Sequence, residues 1–313
     1  MKRLTLSLSL RKAAKKHILK RRLNAQSAME YLMTYGWAIL IIAVVLAVLF
    51  SLGITNPLFF APKAQPGSCQ VLRPYGVGTS ADVNLGGVCN NEMPNFVAQF
   101  NGGTYASVGE LQQEGGTNRS SYSVWFKKIS QSGSWPMVFG DTGGSTRNGY
   151  DLFVGGPGIT ETNRLIAERF SNVPPQTYIF STGTLTTGTW YFAVITYGSG
   201  TFSLYLNGVF QSSVSTAGNI RVNDIMTLGS ESGVYNWGNY QVANFQFYNT
   251  TLDASSIDAL YNEGIGGDPI DVQHLVGWWP LNGNANDYSG NNNQGTATNV
   301  RYIGTWTNGY VQP

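Results

Sequence analysis

The chain has 313 residues, only 12% of them charged, and a formal net charge of +2. The charge is unevenly distributed: residues 1–24 hold nine Lys and Arg and no acid, which leaves 10 basic against 17 acidic side chains, a net charge of −7, for the rest. Because nucleic acids are bound by clustered positive charge, the acidic remainder argues against a nucleic-acid partner.

An apolar segment follows the basic one. Trp37 to Ile54 carry no charge, and a helix of this length spans about 27 Å, close to the thickness of a bilayer core. The segment is apolar all round, which predicts a helix in lipid or in a buried bundle. With the basic residues facing the cytoplasm, everything after Ile54 lies outside the cell. Glu30 precedes this run, and a carboxylate near lipid is commonly functional.

The residues around Glu30 form a motif, Ala25-Gln26-Ser27-Ala28-Met29-Glu30-Tyr31-Leu32. It resembles the class III signal peptide of archaeal type IV pilin-like proteins. The resemblance implies a basic leader over residues 1–25, cleaved between Ala25 and Gln26 by a prepilin-type peptidase, and a transmembrane and filament-core helix over residues 26–55. It also implies that Glu30 meets the N-terminal amine of a neighbouring pilin subunit during assembly.

Residues 56–94 are predicted to form a stalk, because three prolines break any periodicity near its start. The chain's two cysteines, Cys69 and Cys89, lie in this stretch. Outside the cell they can pair, and a disulfide closing a loop of about 20 residues stabilises by about 3 kcal/mol. The alternative is two buried free thiols.

Beyond the stalk, short β-type runs alternate with glycine-rich turns, which predicts a mainly β sandwich or barrel. The clearest run is Thr201–Asn207, where Phe202 and Leu204 share one face before an Asn-Gly hairpin turn. One short helix is predicted from Asp253 to Glu263, capped by Asp253 or Ser255. The other predicted strands are Ser121–Ile129, Pro136–Gly140, Tyr150–Val154, Leu165–Phe170, Gln176–Ser181, Trp190–Tyr197, Asp224–Gly229 and Gln241–Tyr248.

The order of these runs carries a second resemblance. Thr189–Val194, Leu204–Gly208 and Leu228–Ser230, followed by Phe245–Asn249 and the short helix, resemble the laminin-G-like, concanavalin A-like jelly-roll β-sandwich. The resemblance implies such a domain over residues 95–313. His274–Gly283 resembles the beginning of these domains although it comes last here, which suggests a permuted sandwich with residues 272–313 pairing beside residues 95–108. The alternatives are a strand donated to a neighbouring subunit and a small appended hairpin.

Catalytic signals are weak. There is no Cys/His zinc spacing and no phosphate-binding glycine loop. Concanavalin A-like hydrolases need two closely placed carboxylates, whereas Glu168 stands beside Arg169, which suggests an ion pair. We therefore expect no enzyme activity.

Aromatic side chains in glycine-rich stretches suggest stacking on sugars. The predicted carbohydrate contacts are Trp135, Tyr150, Tyr235, Trp237 and Tyr240, with a place in the core as the alternative for each. By contrast, Trp125, Trp190 and Trp278 lie within predicted strands and are assigned to the core.

Two further kinds of site are predicted. Asp287, in Asn286–Asn291, is a candidate calcium ligand, because related domains hold this cation through Asp and Asn oxygens, and an Asx-type turn is the alternative. Calcium is the one cofactor that the sequence suggests. Sequons mark Asn118 and Asn249 as candidate glycosylation sites.

Together these features predict a structural subunit or adhesin of a type IV pilus-like surface filament, with a head that binds surface glycans. The protein would be held in the cell membrane by its N-terminal helix, with the head outside. The first alternative is a membrane-anchored surface lectin that does not polymerise. The second is an anchored glycoside hydrolase.

Overall fold

The structure, a computed structural model, describes residues 35–48, 69–72, 81–84, 93–110, 119–131, 133–141, 149–171, 176–218 and 225–313. The predictions made for Ala25, Gln26, Glu30, Cys89 and Asn118 lie outside these residues. The pairing of Cys69 with Cys89 is therefore also outside what the structure describes.

The chain divides into two units, Met1–Ala61 and Pro62–Pro313. In the first unit, helix α1 spans residues 35–48, and its side chains are exposed. None of the helices within the described ranges is long and apolar enough to cross a membrane. The structure thus describes only the middle part of the helix predicted over residues 26–55.

The second unit contains seventeen described strands and one described helix. Helix α2 is Ala254–Glu263. The strands are β1 Cys69–Leu72, β2 Ala81–Asn84, β3 Val97–Phe100, β4 Tyr105–Glu110, β5 Arg119–Lys128, β6 Met137–Gly140, β7 Gly149–Val154, β8 Arg164–Phe170, β9 Thr177–Thr184, β10 Trp190–Gly198, β11 Thr201–Leu206, β12 Val209–Ser215, β13 Ile225–Leu228, β14 Tyr240–Tyr248, β15 Leu275–Trp279, β16 Thr296–Thr298 and β17 Arg301–Ile303.

Two antiparallel sheets form the sandwich, and β1 and β2 pair separately. The eight-stranded sheet has the order β12-β11-β10-β5-β14-β3-β17, with β15 also paired to β14, and the seven-stranded sheet has the order β16-β4-β13-β6-β7-β8-β9. Neighbours in space are often distant in sequence, as a jelly roll requires. The predicted mainly β sandwich is confirmed.

The core lies between the sheets and follows the two-residue period of the strands. On β7, Tyr150, Leu152 and Val154 belong to the central cluster, while Phe153 belongs to a small separate cluster with Met137 and Ile166. The seven-stranded sheet therefore has an outer face on which Asp151 and Phe153 stand.

The outer face of the eight-stranded sheet is covered by α2 and the C-terminal residues. Asp253 caps α2 by accepting a hydrogen bond from Ser256 N at 2.7 Å, as predicted. Ile257 and Leu260 pack into a cluster that includes Trp125, as does the buried Trp306 near the C-terminus. The predicted core positions of Trp125, Trp190 and Trp278 are confirmed, since all three are buried in this cluster.

The C-terminal strands pair within the chain. β15 pairs with β14, β16 with β4 and β17 with β3. The tail, residues 272–313, thus lies beside β3 and β4, the segment that the sequence indicated. Strands β16 and β17 form hydrogen bonds with edges of β4 and β3 that would otherwise be open.

Glu263, the last residue of α2, links stability to pH. Burial raises the pKa of its carboxyl, so ionisation of this group opposes folding. The contribution of the protonated carboxyl to the free energy of unfolding is fully present below the unfolded-state pKa of about 4.3. It is lost as pH rises through the folded-state pKa. We expect Glu263→Gln to raise the Tm at pH 7 by a few degrees at most and to leave it unchanged at pH 3.5. Thermal unfolding at both pH values tests this, and an equal gain at both would contradict it.

Candidate functional site

A pocket of about 230 Å³ opens on the outer face of the seven-stranded sheet. Two of its carboxylates come from adjacent antiparallel strands, because Asp151 on β7 is the register partner of Glu168 on β8. Asp151 also lies opposite Gly140 on β6, where a Cβ would collide with its carboxylate. The described residues that line this outer pocket are Trp135, Met137, Asp151, Glu168, Phe170, Gln176, Tyr178, Glu231 and Asn236.

A turn from Ser230 to Trp237 supplies the third carboxylate. Glu231 N donates to Tyr235 O at 2.9 Å, and Tyr235 N donates back to Glu231 O at 3.1 Å. The Asn236 amide donates a short hydrogen bond to Glu231 Oε2, which orients that carboxylate. The turn is tied to β6 through Met137 N, which donates to Asn236 O at 3.0 Å.

Aromatic side chains stand at the rim of the outer pocket. Trp135 is 39% exposed and meets Phe153 edge-on at 5.4 Å between ring centroids. Tyr178, on β9, is 38% exposed, and Phe170 beside it is buried. The arrangement offers apolar ring faces above carboxylate and amide oxygens, which accept hydrogen bonds.

Of the predicted carbohydrate contacts, the structure brings three to this region. Trp135 lines the outer pocket. Tyr235 is at the tip of the Ser230–Trp237 turn and is 60% exposed. Trp237 is half-buried, with its ring 6.1 Å from that of Tyr105.

The predictions for Tyr150 and Tyr240 are wrong, because both side chains belong to the core. Tyr150 is 3% exposed; its ring lies 5.2 Å from that of Tyr122, and its hydroxyl pairs with Ser120. Tyr240 is fully buried and donates to Pro136 O, and burial raises the pKa of its hydroxyl. Neither can stack on a sugar.

Glu168 and Arg169, for which the sequence suggested an ion pair, are adjacent on β8. Adjacent residues of a strand project to opposite faces, so Glu168 faces the outer pocket while Arg169 does not. The Arg169 guanidinium lies 4.0 Å from the ring centre of Tyr197 and donates to Ala217 O at 3.2 Å.

Asp287 closes a turn and does not face a cation site. Its Oδ1 accepts from Trp278 N at 3.0 Å and Ser289 N at 2.8 Å, and its Oδ2 accepts from Ser289 Oγ and Asn293 N, both at 2.8 Å. The calcium prediction is wrong for this residue because both oxygens are saturated by donors; the Asx-type alternative is correct. Within the described ranges, no group of three or more His, Cys, Asp or Glu residues is arranged to hold a metal.

A substitution at Asp287 should therefore affect folding. Asp287→Asn turns an NH₂ group towards backbone N–H donors, and leaving buried groups without partners costs about 1–3 kcal/mol each. We expect a lower Tm for the variant, and the same effect of added Ca²⁺ on the Tm of the variant and of the parent. A Ca²⁺-dependent rise in the Tm of the parent that the variant lacks would contradict this interpretation.

The sequon at Asn249 lies at the end of β14, in a partly buried position. The carboxamide oxygen of Asn249 is buried, and the Thr251 hydroxyl donates to Tyr197 O at 2.9 Å. The folded head thus engages the sequon's hydroxyl in its own structure, which argues against glycosylation after folding.

Sequence reasoning missed Asp151, Tyr178 and Glu231. Asp151 and Tyr178 lie in correctly predicted strands. The available signal was the charged residue Asp151 inside the otherwise apolar run Tyr150–Val154. Such a residue indicates that the outer face of the strand carries a polar site.

The two-sheet sandwich, with an aromatic and acidic pocket on its outer face, has the architecture of a jelly-roll domain. The sequence model of the concanavalin A-like lectin/glucanases superfamily matches residues 100–258, half of the chain. The chain belongs to this superfamily, and its laminin-G-like resemblance is confirmed.

A candidate carbohydrate binding protein from Bacteroides ovatus has the same fold, with 12% identity and a TM-score of 0.52, and 83% of this chain and 84% of that chain are covered. Other solved structures are similar to smaller parts of the chain. A heptameric SAP-like pentraxin from Limulus polyphemus has 13% identity and a TM-score of 0.38, covering 56% and 81%. Domain 4 of the arabinanase AbnA from Geobacillus stearothermophilus, solved with arabinotriose, has 19% identity and a TM-score of 0.34, covering 46% and 67%. No curated protein matches the chain in sequence.

Proposed function

We propose that the head binds carbohydrate in the outer pocket. The observation that carries the proposal is the combination of exposed Trp135 and Tyr178 rings with the carboxylates of Asp151, Glu168 and Glu231. Ring faces pack on the apolar faces of sugars, and carboxylates accept hydrogen bonds from hydroxyl groups. On the opposite face of the sandwich, α2 and the C-terminal residues pack over Trp125, whereas the outer face of the seven-stranded sheet carries the pocket.

The test is a glycan array followed by calorimetry on any sugar that binds. Trp135→Ala and Tyr178→Ala are expected to weaken binding about 10- to 100-fold each, the effect of removing a central aromatic contact. Tyr288→Ala is the matched control, because Tyr288 is also 38% exposed but lies outside the pocket. Equal affinities for all three variants would contradict the proposal.

Glycoside hydrolysis is the second candidate function, and the pairing of Asp151 with Glu168 favours it. Directly opposed residues of antiparallel strands have Cβ atoms about 4.5–5.5 Å apart, and retaining glycosidases place their carboxyl groups about 5–5.5 Å apart. Release of reducing ends from bound glycans, abolished by Glu168→Gln, would establish it. Binding that persists with no product would leave the head a binding domain.

At the cell surface, we propose that the chain is a pilin-like subunit or adhesin of a filament. The basic leader, the Ala25–Gln26 cleavage motif, Glu30 and the apolar run support this; the partners would be a prepilin-type peptidase and identical or related pilin subunits. The rival is an anchored lectin that does not polymerise. The N-terminal peptide mass from a sheared surface fraction separates them: a chain beginning at Gln26 supports assembly, and an uncleaved chain found only in membranes contradicts it.

A further inference from the structure

The Ser230–Trp237 turn next to the outer pocket carries an exposed apolar tip. Val234 is 57% exposed and Tyr235 60%. The turn belongs to the pocket through Glu231 and Asn236, which line it. An apolar surface that continues a polar pocket is a place where a longer ligand leaves the pocket and gains further contact.

This turn is held rigidly. Besides the paired hydrogen bonds between Glu231 and Tyr235, Ser230 Oγ accepts from Gly233 N at 3.0 Å, and Ser230 O accepts from Thr227 Oγ1 at 2.8 Å. Gly233 has a φ of +69°, and a Cβ there would strike the ring of Tyr105. The turn is thus seated on Tyr105, so that its backbone needs little ordering on binding.

The size of the outer pocket shows why a second contact matters. Pockets that enclose a small-molecule ligand have about 300–1,000 Å³, and this one has about 230 Å³. It encloses a ligand portion of about one sugar ring. A chain of sugars with one ring in the pocket would continue over the protein surface, and the tip of the turn is an apolar surface next to the pocket.

We infer that the ligand is an oligosaccharide chain rather than a single terminal sugar, with one ring in the outer pocket and the next packed on Tyr235. The Trp237 and Tyr105 rings support the turn from below. This inference rests on the proposed carbohydrate binding and adds the length of the ligand and a second subsite.

The experiment measures affinity against chain length. Calorimetry is done with oligomers of one to six units of glucose, mannose, N-acetylglucosamine and arabinose. For the parent protein we expect affinity for at least one series to rise about tenfold between one and three units. Tyr235→Ala is expected to remove that rise and keep the affinity for the single sugar, whereas Trp135→Ala weakens binding at every length.

Phe210→Ala is the matched control, because Phe210 is exposed on the β12 side of a different hairpin; its length dependence should equal that of the parent. Equal affinity for all lengths in the parent, or an unchanged rise in Tyr235→Ala, overturns the inference while leaving carbohydrate binding intact. Absence of binding to every series overturns both. Thermal unfolding verifies that each variant is folded.

Discussion

Deletion of residues 272–313 is expected to abolish folding of the head. The deletion removes β15, β16 and β17, and with them the sheet partners of β14, β4 and β3. It also removes the buried side chains of Trp278, Trp279 and Trp306. Loss of one buried Trp costs about 3–5 kcal/mol, and the net stability of a domain is about 5–15 kcal/mol. The cost of losing all three is therefore as large as the whole free energy of unfolding.

The measurements are soluble yield, size-exclusion chromatography and circular dichroism of the truncated chain. We expect aggregation, because the edges of β3 and β4 are left open to pairing with other chains. Deletion of residues 311–313 alone is the control, since Val311 is exposed. A soluble truncated head that unfolds cooperatively would show that the C-terminal strands are an appendage.

Local features of this fold follow closely from the sequence. The alternation in Thr201–Leu206 predicts a strand, and Phe202 and Leu204 are buried as the period of two requires. The Asn207-Gly208 turn joins β11 to β12, with positive φ at both residues. The cap at Asp253 follows from side-chain chemistry in the same way. Each of these depends on residues within a few positions of one another.

The outer pocket could not be predicted, because it depends on long-range pairing. Asp151 and Glu168 meet only through the register of β7 with β8. Glu231 reaches them from a turn more than sixty residues further along the chain. A shift of β8 by one residue relative to β7 would turn Glu168 to the other face, away from Asp151. No pattern within a short window encodes that choice.

Tyr150 shows a second limit of prediction from the sequence, the choice of the buried face of a strand. Its glycine-rich surroundings suggested an exposed aromatic residue, yet the two-residue period of β7 places it inward with Leu152 and Val154. The strand was predicted, but the face that is buried was not, because both faces of β7 carry apolar residues. The same ambiguity affects any strand of a sandwich whose outer face is partly covered.

Trp306→Ala is expected to release the C-terminal residues from the eight-stranded sheet. The Trp306 indole N–H donates to Pro94 O at 2.9 Å, and its carbonyl accepts from Lys127 Nζ at 3.0 Å and Trp190 Nε1 at 3.1 Å. The ring also packs on Trp190 and Tyr310. We expect a loss of about 3–5 kcal/mol and a fall in Tm of about 10 °C.

Hydrogen exchange separates release of residues 306–310 from a general loss of stability. The Trp190 amide donates to Gly309 O at 3.0 Å, and the Ile265 amide donates to Tyr310 Oη at 3.2 Å. Both amides should exchange faster in Trp306→Phe, which keeps a ring but loses the indole N–H that donates to Pro94 O. Trp279→Phe is the matched control, because it loses a comparable indole hydrogen bond, to Asn293 O at 3.0 Å, away from Pro94 and residues 306–310. Equal exchange at Trp190 and Ile265 in the two variants would contradict the proposed role of Trp306. Faster exchange in Trp306→Phe alone would show that the hydrogen bond from Trp306 to Pro94 holds the C-terminal residues against the sheet.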